Sequence, residues 1–346
     1  MNDASSKTIL IIQTAFIGDT ILASQFARAV KTQYPNAKIH FVLRKGNESV
    51  IQGLSSLEKT WIWDKQGGKL KNLINLILEL RSIKFDVVFN LHRHFNSGLI
   101  AACMKSKSKI GFRQNPLSFI YSSKITHQIP HHPAENEKVV WHEVQRNLQL
   151  LQTYDSTFQI ENNAKIYKPE LPILQKNWDK VAGYKNQNYF VIAPASVWFT
   201  KAWSAEKFRQ LSMSLAPLGK IYFIGANTDK ALCDEIRAGI ENTENLCGTL
   251  NLLDSAALMR DAQRVFVNDS APLHLASAVN AKTTAIFCST VPAFGYTPLA
   301  DDSVVIDVGD SLACRPCGLH GYQKCPLTHF KCSVDIDVKN VFETVK

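Results

Sequence analysis

One strand-turn-helix segment constrains the fold of this chain more than any other feature. The β-rich run Arg264–Val267 stops at Asn268-Asp269-Ser270, and a helix is predicted to begin around Pro272, where the missing N–H of proline costs nothing. Unpaired backbone N–H groups and the positive end of the helix dipole make such a turn an anion site. A carboxylate, Asp269, beside this helix start predicts a ligand with both phosphate and hydroxyl groups, such as a nucleotide sugar.

A second turn of this kind lies near the N-terminus. The apolar run Thr8–Gln13 predicts a buried strand, and the apolar spacing of residues 20–34 predicts a helix. Gly18 is expected to allow a tight turn between them, and Asp19 is expected at the helix start. Two such turns so far apart in sequence indicate two separate α/β units whose loops face each other.

Strands and helices alternate along the whole chain, which predicts the α/β class with parallel sheets and ligands at the carboxyl ends of the strands. We expect an N-terminal domain at 1–165, a linker at 166–187, a C-terminal domain at 188–335 and a closing helix at 336–346. Further expectations are helices near 48–54, 70–83 and 135–154, and an irregular loop at 110–134.

The positive charge of the chain is confined to its first half. Residues 1–165 hold 21 Lys and Arg against 12 Asp and Glu, whereas residues 166–346 hold 18 of each. This asymmetry predicts an anionic partner for the first half, namely nucleic acid, an acidic membrane face or a phosphorylated acceptor, although solubility alone is an equal explanation. No apolar run reaches 18 residues and the N-terminus lacks a signal-peptide layout, so we expect a cytoplasmic protein.

The eight cysteines form two sets. Four are expected to be buried apolar fillers, at positions 103, 233, 247 and 288. The other four lie close together in sequence, as Cys314, Cys317, Cys325 and Cys332. A reduced, packed cluster is the first interpretation of this segment, zinc the second and disulfides the third, because the second CxxC of a zinc ribbon is missing.

In the second half, a lysine follows the predicted strand at 189–193. The ammonium of Lys201, with Thr200 and Ser196 nearby in sequence, can neutralise a departing diphosphate; the alternative is an ordinary surface lysine. Five residues after Asp269, His274 is expected to support the loop rather than take part in chemistry.

In the first half, the predicted strand at 85–91 opens into a histidine-rich loop. His92 and His94, like His131 and His132, do not match zinc spacings. We expect these histidines near an acceptor site, together with Arg93 and Asn96. Asp19 has two interpretations. It is a helix cap, or it is a general base whose orientation matters more than its resting pKa.

Taken in order, these motifs resemble glycosyltransferase family 9, the bacterial heptosyltransferases of lipopolysaccharide core synthesis. The likeness covers most of the chain, and the cysteine segment is similar to that of the heptosyltransferase II branch. The anchors are Gly18-Asp19, residues 142–148, Thr200-Lys201-Ala202-Trp203, Gly248-Thr249-Leu250, Asn268-Asp269-Ser270 with His274, and residues 289–293.

The resemblance implies a GT-B fold, with two Rossmann-like domains facing across a cleft, and inverting transfer of a heptose from ADP-heptose without a required metal. It implies Asp19 as the base and Lys201 as the diphosphate-binding cation. The implied donor-binding set is Gly18, Ser196, Thr200, Lys201, Asp269, Ser270, Ala271 and His274. Ala195, Ala271 and Pro272 depart from the family pattern beside the phosphates, so the identity of the donor stays open.

The implied acceptor is an anionic, lipid-linked saccharide, reached by a monomer that associates with the inner face of the inner membrane. Three alternatives remain: a family member with another donor or acceptor, a nucleotide-sugar epimerase, and a basic nucleic-acid-binding protein. The last is disfavoured because the sequence shows no recognition helix and no interleaving of aromatic and basic residues.

Overall fold

A computed structural model describes residues 6–130 and 141–345. The chain divides into two compact units, each with its own core. The first unit contains the described residues up to Gln128 and the segment Glu143–Pro172. The second contains the described residues of Ile129–His142 and of Ile173–Lys346.

The first unit is built from alternating strands and helices. In chain order they are β1 (Thr8–Ile12), α1 (Ile17–Gln33), β2 (Lys38–Arg44), β3 (Lys59–Trp63), α2 (Lys69–Leu80), β4 (Lys84–Asn90), α3 (Phe95–Cys103), β5 (Lys105–Phe112), β6 (Ser123–Ile125) and α4 (Glu143–Tyr154). The strands form a six-stranded sheet in the order β3-β2-β1-β4-β5-β6. All neighbouring strands in this sheet are parallel.

The second unit repeats this plan. It contains α5 (Gln175–Val181), β7 (Tyr189–Ala193), α6 (Ala205–Leu215), β8 (Lys220–Phe223), α7 (Lys230–Arg237), β9 (Thr243–Asn245), α8 (Leu252–Arg260), β10 (Arg264–Asn268), α9 (Ala271–Ala278), β11 (Thr283–Phe287), β12 (Ser303–Asp307), α10 (Lys331–Val334) and α11 (Val338–Phe342). Its sheet is also six-stranded and parallel, in the order β12-β11-β10-β7-β8-β9. The predicted α/β class with two parallel sheets is therefore confirmed.

Strand order reverses at one point in each sheet. The chain proceeds outward from β1 through β2 and β3, and then returns to the other side of β1 with β4. In the second unit the chain proceeds outward from β7 through β8 and β9, and then returns to the other side of β7 with β10. Ligands of open parallel sheets bind at such a reversal, at the carboxyl ends of the two central strands, because the following loops part there. We therefore expect ligand-binding residues in the loops after β1, β4, β7 and β10.

Each sheet buries a continuous apolar layer. The central strands β1, β7, β10 and β11 are enclosed almost completely, as the uninterrupted apolar runs in their sequences predict. In the first unit, Trp61 and Trp63 of the edge strand β3 belong to one buried cluster with side chains of α2 and β4. In the second unit, Trp203 and Phe208 pack between α6 and the sheet. Among the described residues, no helix combines the length and the apolar character needed to cross a bilayer.

Parts of the predicted secondary structure were wrong. Residues 48–54 form only a short 3-10 turn at Glu48–Val50, and the supposed loop at 110–134 contains the end of β5 and all of β6. The helix predicted from 135 begins at Glu143 within the described residues, and positions 135–140 lie outside them, as do His131 and His132. Part of the predicted linker is helix α5, which packs against α8. The domain boundaries drawn from the sequence stay a prediction.

The structure of the first unit predicts which phenylalanines support its stability. Phe89 of β4 is fully buried, and its ring meets that of Phe26 edge-to-face at a centroid distance of 5.1 Å, whereas Phe119 is 73% exposed. Phe89→Ala should lower the free energy of unfolding by about 3 to 5 kcal/mol, because it leaves a cavity in the core. Phe119→Ala should change it by no more than about 0.5 kcal/mol. Denaturant titration of both variants tests the expectation, and equal losses would contradict the assigned core.

Candidate functional site

The loop after β1 leads directly into helix α1. Helix α1 begins at Ile17, with Phe16 as its N-cap, so Gly18 and Asp19 are its second and third residues. The predicted turn at Gly18 and the predicted cap at Asp19 were therefore wrong. A continuous helix with no glycine turn brings Asp19 into the first turn, where the partial positive charge of the helix dipole favours its carboxylate.

The loops after β1 and β4 meet in the first unit, as the strand reversal requires. The hydroxyl Oγ1 of Thr14 lies 3.0 Å from Nδ1 of His92, and Nζ of Lys65 donates to the carbonyl oxygen of Thr14 at 2.7 Å. The Lys65 ammonium also lies over the Trp63 ring, 4.6 Å from its centroid. The structure thus connects the loop before Asp19 with one predicted acceptor-side histidine and with a lysine that sequence reasoning missed.

Burial and positive neighbours lower the pKa values of His92 and Lys65. Burial, followed by the charges of His94, Lys65 and Arg93, lowers the pKa of His92 to about 3, so its ring is neutral at pH 7. Burial together with the nearby Arg44 and Lys69 lowers the pKa of Lys65 to about 8. The positive charge here is therefore carried by Lys65 and Arg93 and not by the buried histidine.

Three buried polar side chains fix the histidine loop. Nδ2 of Asn115 donates to the backbone oxygens of both His92 and His94, and Oγ of Ser97 donates to the same two oxygens. The side chain of Asn90 accepts from the N–H of His92. Asn96 lies in the first turn of α3 rather than in the loop. Sequence reasoning missed Asn115 because it assigned that region to an irregular loop.

The predicted lysine and aspartate of the second unit form an ion pair. Nζ of Lys201 lies 2.6 Å from Oδ2 of Asp269, and both side chains are largely buried, with 14% and 9% of their surface exposed. The hydroxyl of Thr290 donates to the same carboxylate oxygen at 2.7 Å. The strand reversal between β7 and β10 brings the loops that carry the two charges together. The Asp269 carboxylate fixes the position of the Lys201 ammonium, and the Thr290 hydroxyl fixes the position of the carboxylate.

Helix α9 begins beside that ion pair. Ser270 is its N-cap, although its side chain makes no capping hydrogen bond, and Ala271 and Pro272 form the first turn as the sequence predicted. His274 lies in the same helix and is fully enclosed. Its Nδ1 has no hydrogen-bond partner within the described part of the chain. Burial lowers the pKa of His274 to about 4; Asp269 opposes this shift and Lys201 adds to it, so the ring is neutral at pH 7.

Asn268, the last residue of β10, positions the lysine loop. Its Oδ1 accepts from the N–H of Trp203 at 2.9 Å, and its Nδ2 donates to the carbonyl of Pro194 at 2.7 Å. Both ends of the loop that carries Ser196 and Lys201 are thus tied to one fully buried amide. The sequence offers a signal for this role, since a polar residue ends an otherwise apolar strand immediately before Asp269.

The cysteine segment packs against the lysine loop. The N–H of Thr200 donates to the carbonyl of Tyr322, and the N–H of Tyr322 donates to the hydroxyl of Thr200. Gly321 has φ +75°, and a Cβ there would lie 2.8 Å from Oγ1 of Thr200 and 3.1 Å from Cγ of Lys201. This segment therefore supports the backbone at Thr200, directly before the charged side chain, a role that its cysteines did not suggest.

Arg315 extends that support to the carboxylate. Its buried guanidinium donates to the backbone oxygen of Thr290 through Nε and Nη2, at 3.0 and 2.6 Å, and to Asp307 at 2.8 Å. Because the Thr290 hydroxyl donates to Asp269, the arginine fixes the residue that orients the carboxylate. Neither Thr290 nor Arg315 was singled out from the sequence as part of the site.

The four clustered thiols do not form a preorganised metal site. Among the described residues there is no group of three or more His, Cys, Asp or Glu side chains arranged to hold a metal ion, and Cys314, Cys317, Cys325 and Cys332 are free thiols. Burial raises the pKa of Cys317, and burial with the neighbouring thiols raises the pKa of Cys332 to about 12. The structure shows no disulfide among the four, and the choice between a reduced cluster and a zinc site stays a prediction.

Comparison with known proteins identifies the class of this two-unit α/β fold. The model of glycosyltransferase family 9 (heptosyltransferase) matches residues 73–320. Lipopolysaccharide heptosyltransferase 3 of Escherichia coli K12 is 27% identical over 90% of this chain and 88% of its own length. Lipooligosaccharide heptosyltransferase 2 of Campylobacter jejuni (serotype O:6) is 25% identical, with 98% of both chains covered.

A solved structure shows the same fold. The E. coli ADP-heptose lipopolysaccharide heptosyltransferase II superposes with a TM-score of 0.77 at 18% identity and covers 98% of this chain and 97% of its own. The fold is therefore that of the GT-B glycosyltransferases. The chain belongs to glycosyltransferase family 9, the heptosyltransferase family, and is an enzyme of the transferase class. This membership confirms the resemblance found in the sequence, and it favours a transferase over an epimerase or a nucleic-acid-binding protein.

The close approach at Gly321 predicts an unusually large effect of a single methyl group. Gly321→Ala combines an unfavourable positive φ with crowding against Thr200 and Lys201, whereas Gly239 has a similar φ of +71° and no atom within 4 Å of a new Cβ. Gly239→Ala should cost about 1 kcal/mol of unfolding free energy from backbone strain alone. Gly321→Ala should cost a further 1 to 3 kcal/mol, roughly, from overpacking. Denaturant unfolding measures both, and equal costs would show that the cysteine segment does not press on the lysine loop.

The depressed pKa of His274 predicts how stability responds to acid. In the unfolded chain this ring takes up a proton near pH 6.5, and in the folded chain only near pH 4. The neutral ring therefore contributes fully to the free energy of unfolding above about pH 6.5, and this contribution is lost as the pH falls towards 4. Between pH 7 and 4 the wild type should lose up to about 3 kcal/mol more than His274→Gln, since each pKa unit corresponds to about 1.4 kcal/mol. Parallel pH profiles of the two proteins would refute a buried neutral ring.

Proposed function

We propose that this protein transfers a heptose from ADP-heptose to an anionic, lipid-linked saccharide of the lipopolysaccharide inner core, with inversion at the anomeric carbon. The Lys201–Asp269 ion pair beside the start of α9 carries this proposal, because it combines a cation for a diphosphate with a carboxylate for hydroxyl groups. The names of the relatives support the transferred sugar and the acceptor, and the name of heptosyltransferase II supports ADP-heptose as donor.

On the donor side, the second unit is proposed to bind the diphosphate. Lys201 donates to its oxygens, and the N–H groups of Ser270 and Ala271 at the start of α9 stabilise the same charge. Within the described residues only Oδ2 of Asp269 is engaged, which leaves Oδ1 to accept from a hydroxyl of the donor. His274 is neutral, so its buried Nδ1 adds a hydrogen-bonding atom without adding charge.

On the acceptor side, the first unit is proposed to supply the base. As the acceptor oxygen forms its bond to the anomeric carbon and the bond to the diphosphate breaks, the hydroxyl proton passes to the carboxylate of Asp19. ADP leaves with its added negative charge balanced by Lys201, so this mechanism requires no metal. One base and one charge-balancing group suffice for inversion, in contrast to the two carboxylates of a retaining enzyme.

The acceptor is proposed to lie beside the loop that contains His92, Arg93 and His94. Arg93 and Lys65 supply positive charge there, while burial keeps His92 neutral. The excess of basic residues in the first half of the chain suits an acceptor that carries acidic groups at the inner face of the inner membrane.

The roles of Asp19 and Lys201 lead to different kinetic effects. Asp19→Asn should reduce kcat by about 10² to 10⁴-fold and leave donor affinity nearly unchanged, because it removes only the proton acceptor. Lys201→Ala should weaken donor binding and also reduce kcat by roughly 10² to 10³-fold, and Lys201→Arg should restore part of both. Single-turnover kinetics together with donor calorimetry separate the two effects.

Matched surface variants serve as controls for this experiment. Asp64→Asn removes a carboxylate that pairs with Lys45 at the surface, and Lys230→Ala removes an exposed ammonium of α7. Both should retain wild-type turnover.

Calorimetry against ADP-, UDP- and GDP-sugars tests the identity of the donor, and NMR of the product tests inversion at the anomeric carbon. Near-normal turnover of Asp19→Asn would exclude it as the base, and preference for a UDP- or GDP-sugar would exclude ADP-heptose.

A further inference from the structure

Helix α2 exposes a stripe of large apolar side chains, at Leu70, Ile74 and Leu78. They are 65%, 47% and 61% exposed. Because residues four apart lie on the same face of a helix, the three form one continuous row. The adjoining face of the helix is also apolar and is buried in the core of the first unit, through Leu73, Leu76, Ile77 and Leu80.

This stripe is not needed to hold the helix in place. A helix at the surface of a soluble unit needs one apolar face against the core and a polar face towards water, whereas the apolar arc of α2 extends beyond its buried face into the exposed surface. A continuous exposed apolar row marks a contact surface more often than an isolated exposed leucine does. The outer row of α2 is therefore available to a partner.

Positive charges border this stripe. Lys71 lies three residues before Ile74 and Arg81 three residues after Leu78, so both lie beside the row, and Lys69 and Lys84 are exposed at the two ends of the helix. None of these four cations has a carboxylate within ion-pair distance in the described parts of the chain. The helix and its two ends thus carry four cations without an ion-pair partner in the described parts of the chain, against one carboxylate, Glu79.

We propose that α2 docks lengthwise on the surface of an anionic phospholipid bilayer. Leu70, Ile74 and Leu78 would enter the boundary between headgroups and acyl chains, while Lys71 and Arg81 contact lipid phosphates. The charge pattern favours this partner over a second copy of the chain, because a symmetric pair of α2 helices would place the same unneutralised cations opposite one another. The link to catalysis rests on the proposed lipid-linked acceptor, but the docking surface itself does not depend on that proposal.

Sedimentation with vesicles of phosphatidylglycerol and phosphatidylethanolamine, without donor or acceptor, tests this inference. Leu70→Gln/Leu78→Gln should weaken vesicle binding by about tenfold or more, because the apolar row no longer enters the bilayer. Met213→Gln/Leu218→Gln, which removes two exposed apolar side chains from the second unit, should bind as the wild type does. Lys71→Gln/Arg81→Gln should weaken binding by about fivefold for each lost cation, an effect that added salt should mimic.

Several outcomes would overturn the inference. They are equal vesicle binding by the α2 and control variants, binding to neutral phosphatidylcholine vesicles as strong as to anionic ones, and a concentration-dependent dimer that the α2 variant abolishes, which would make this face a self-interface. Circular dichroism and denaturant unfolding show whether each variant is folded, and the lysine–arginine variant keeps the test open if the leucine variant does not fold. Since vesicle binding is measured without substrates, its failure and the failure of the proposed transferase activity are separate results.

Discussion

The reversal of strand order beside β1 and β7 is the constraint on which the rest of this structure depends. A parallel sheet sends each chain segment back through a helix, so only a reversal makes neighbours of strands that are far apart in sequence. It places the loop after β4 beside the loop after β1, and the loop after β10 beside the loop after β7. His92 reaches Thr14, and Asp269 reaches Lys201, for this reason.

Burial determines which groups carry charge in both units. It lowers the pKa of His92 to about 3 and that of His274 to about 4, so neither ring is protonated near neutral pH. Positive charge beside these rings is left to Lys65 and Arg93 in the first unit and to Lys201 in the second. Each ammonium is held by a fixed oxygen, the carbonyl of Thr14 or the carboxylate of Asp269. This preorganisation lets a cation meet developing negative charge with little rearrangement.

Polar residues behind the charged pair hold it in position. Asn268 ties both ends of the lysine loop, Tyr322 pairs with the backbone of Thr200, and Arg315 fixes Thr290. These contacts join segments separated by up to 122 residues, so the local sequence does not show which segments they join. The strand β5 was missed for a related reason. Its alternating lysine and serine residues lack the apolar run of a buried strand, and its pairing with β4 and β6 makes it a strand.

The sequence by itself determined the class of the fold, the family, and the position of Asp269 before a helix that starts with Pro272 in its first turn. It could do so because buried parallel strands are uninterrupted apolar runs and because proline fits the first turn of a helix. Tertiary structure alone decided that Asp19 lies within α1, that the cysteine segment supports Lys201, and that both histidines are neutral. These properties depend on packing, burial and contacts between distant segments, which have no signature in local sequence.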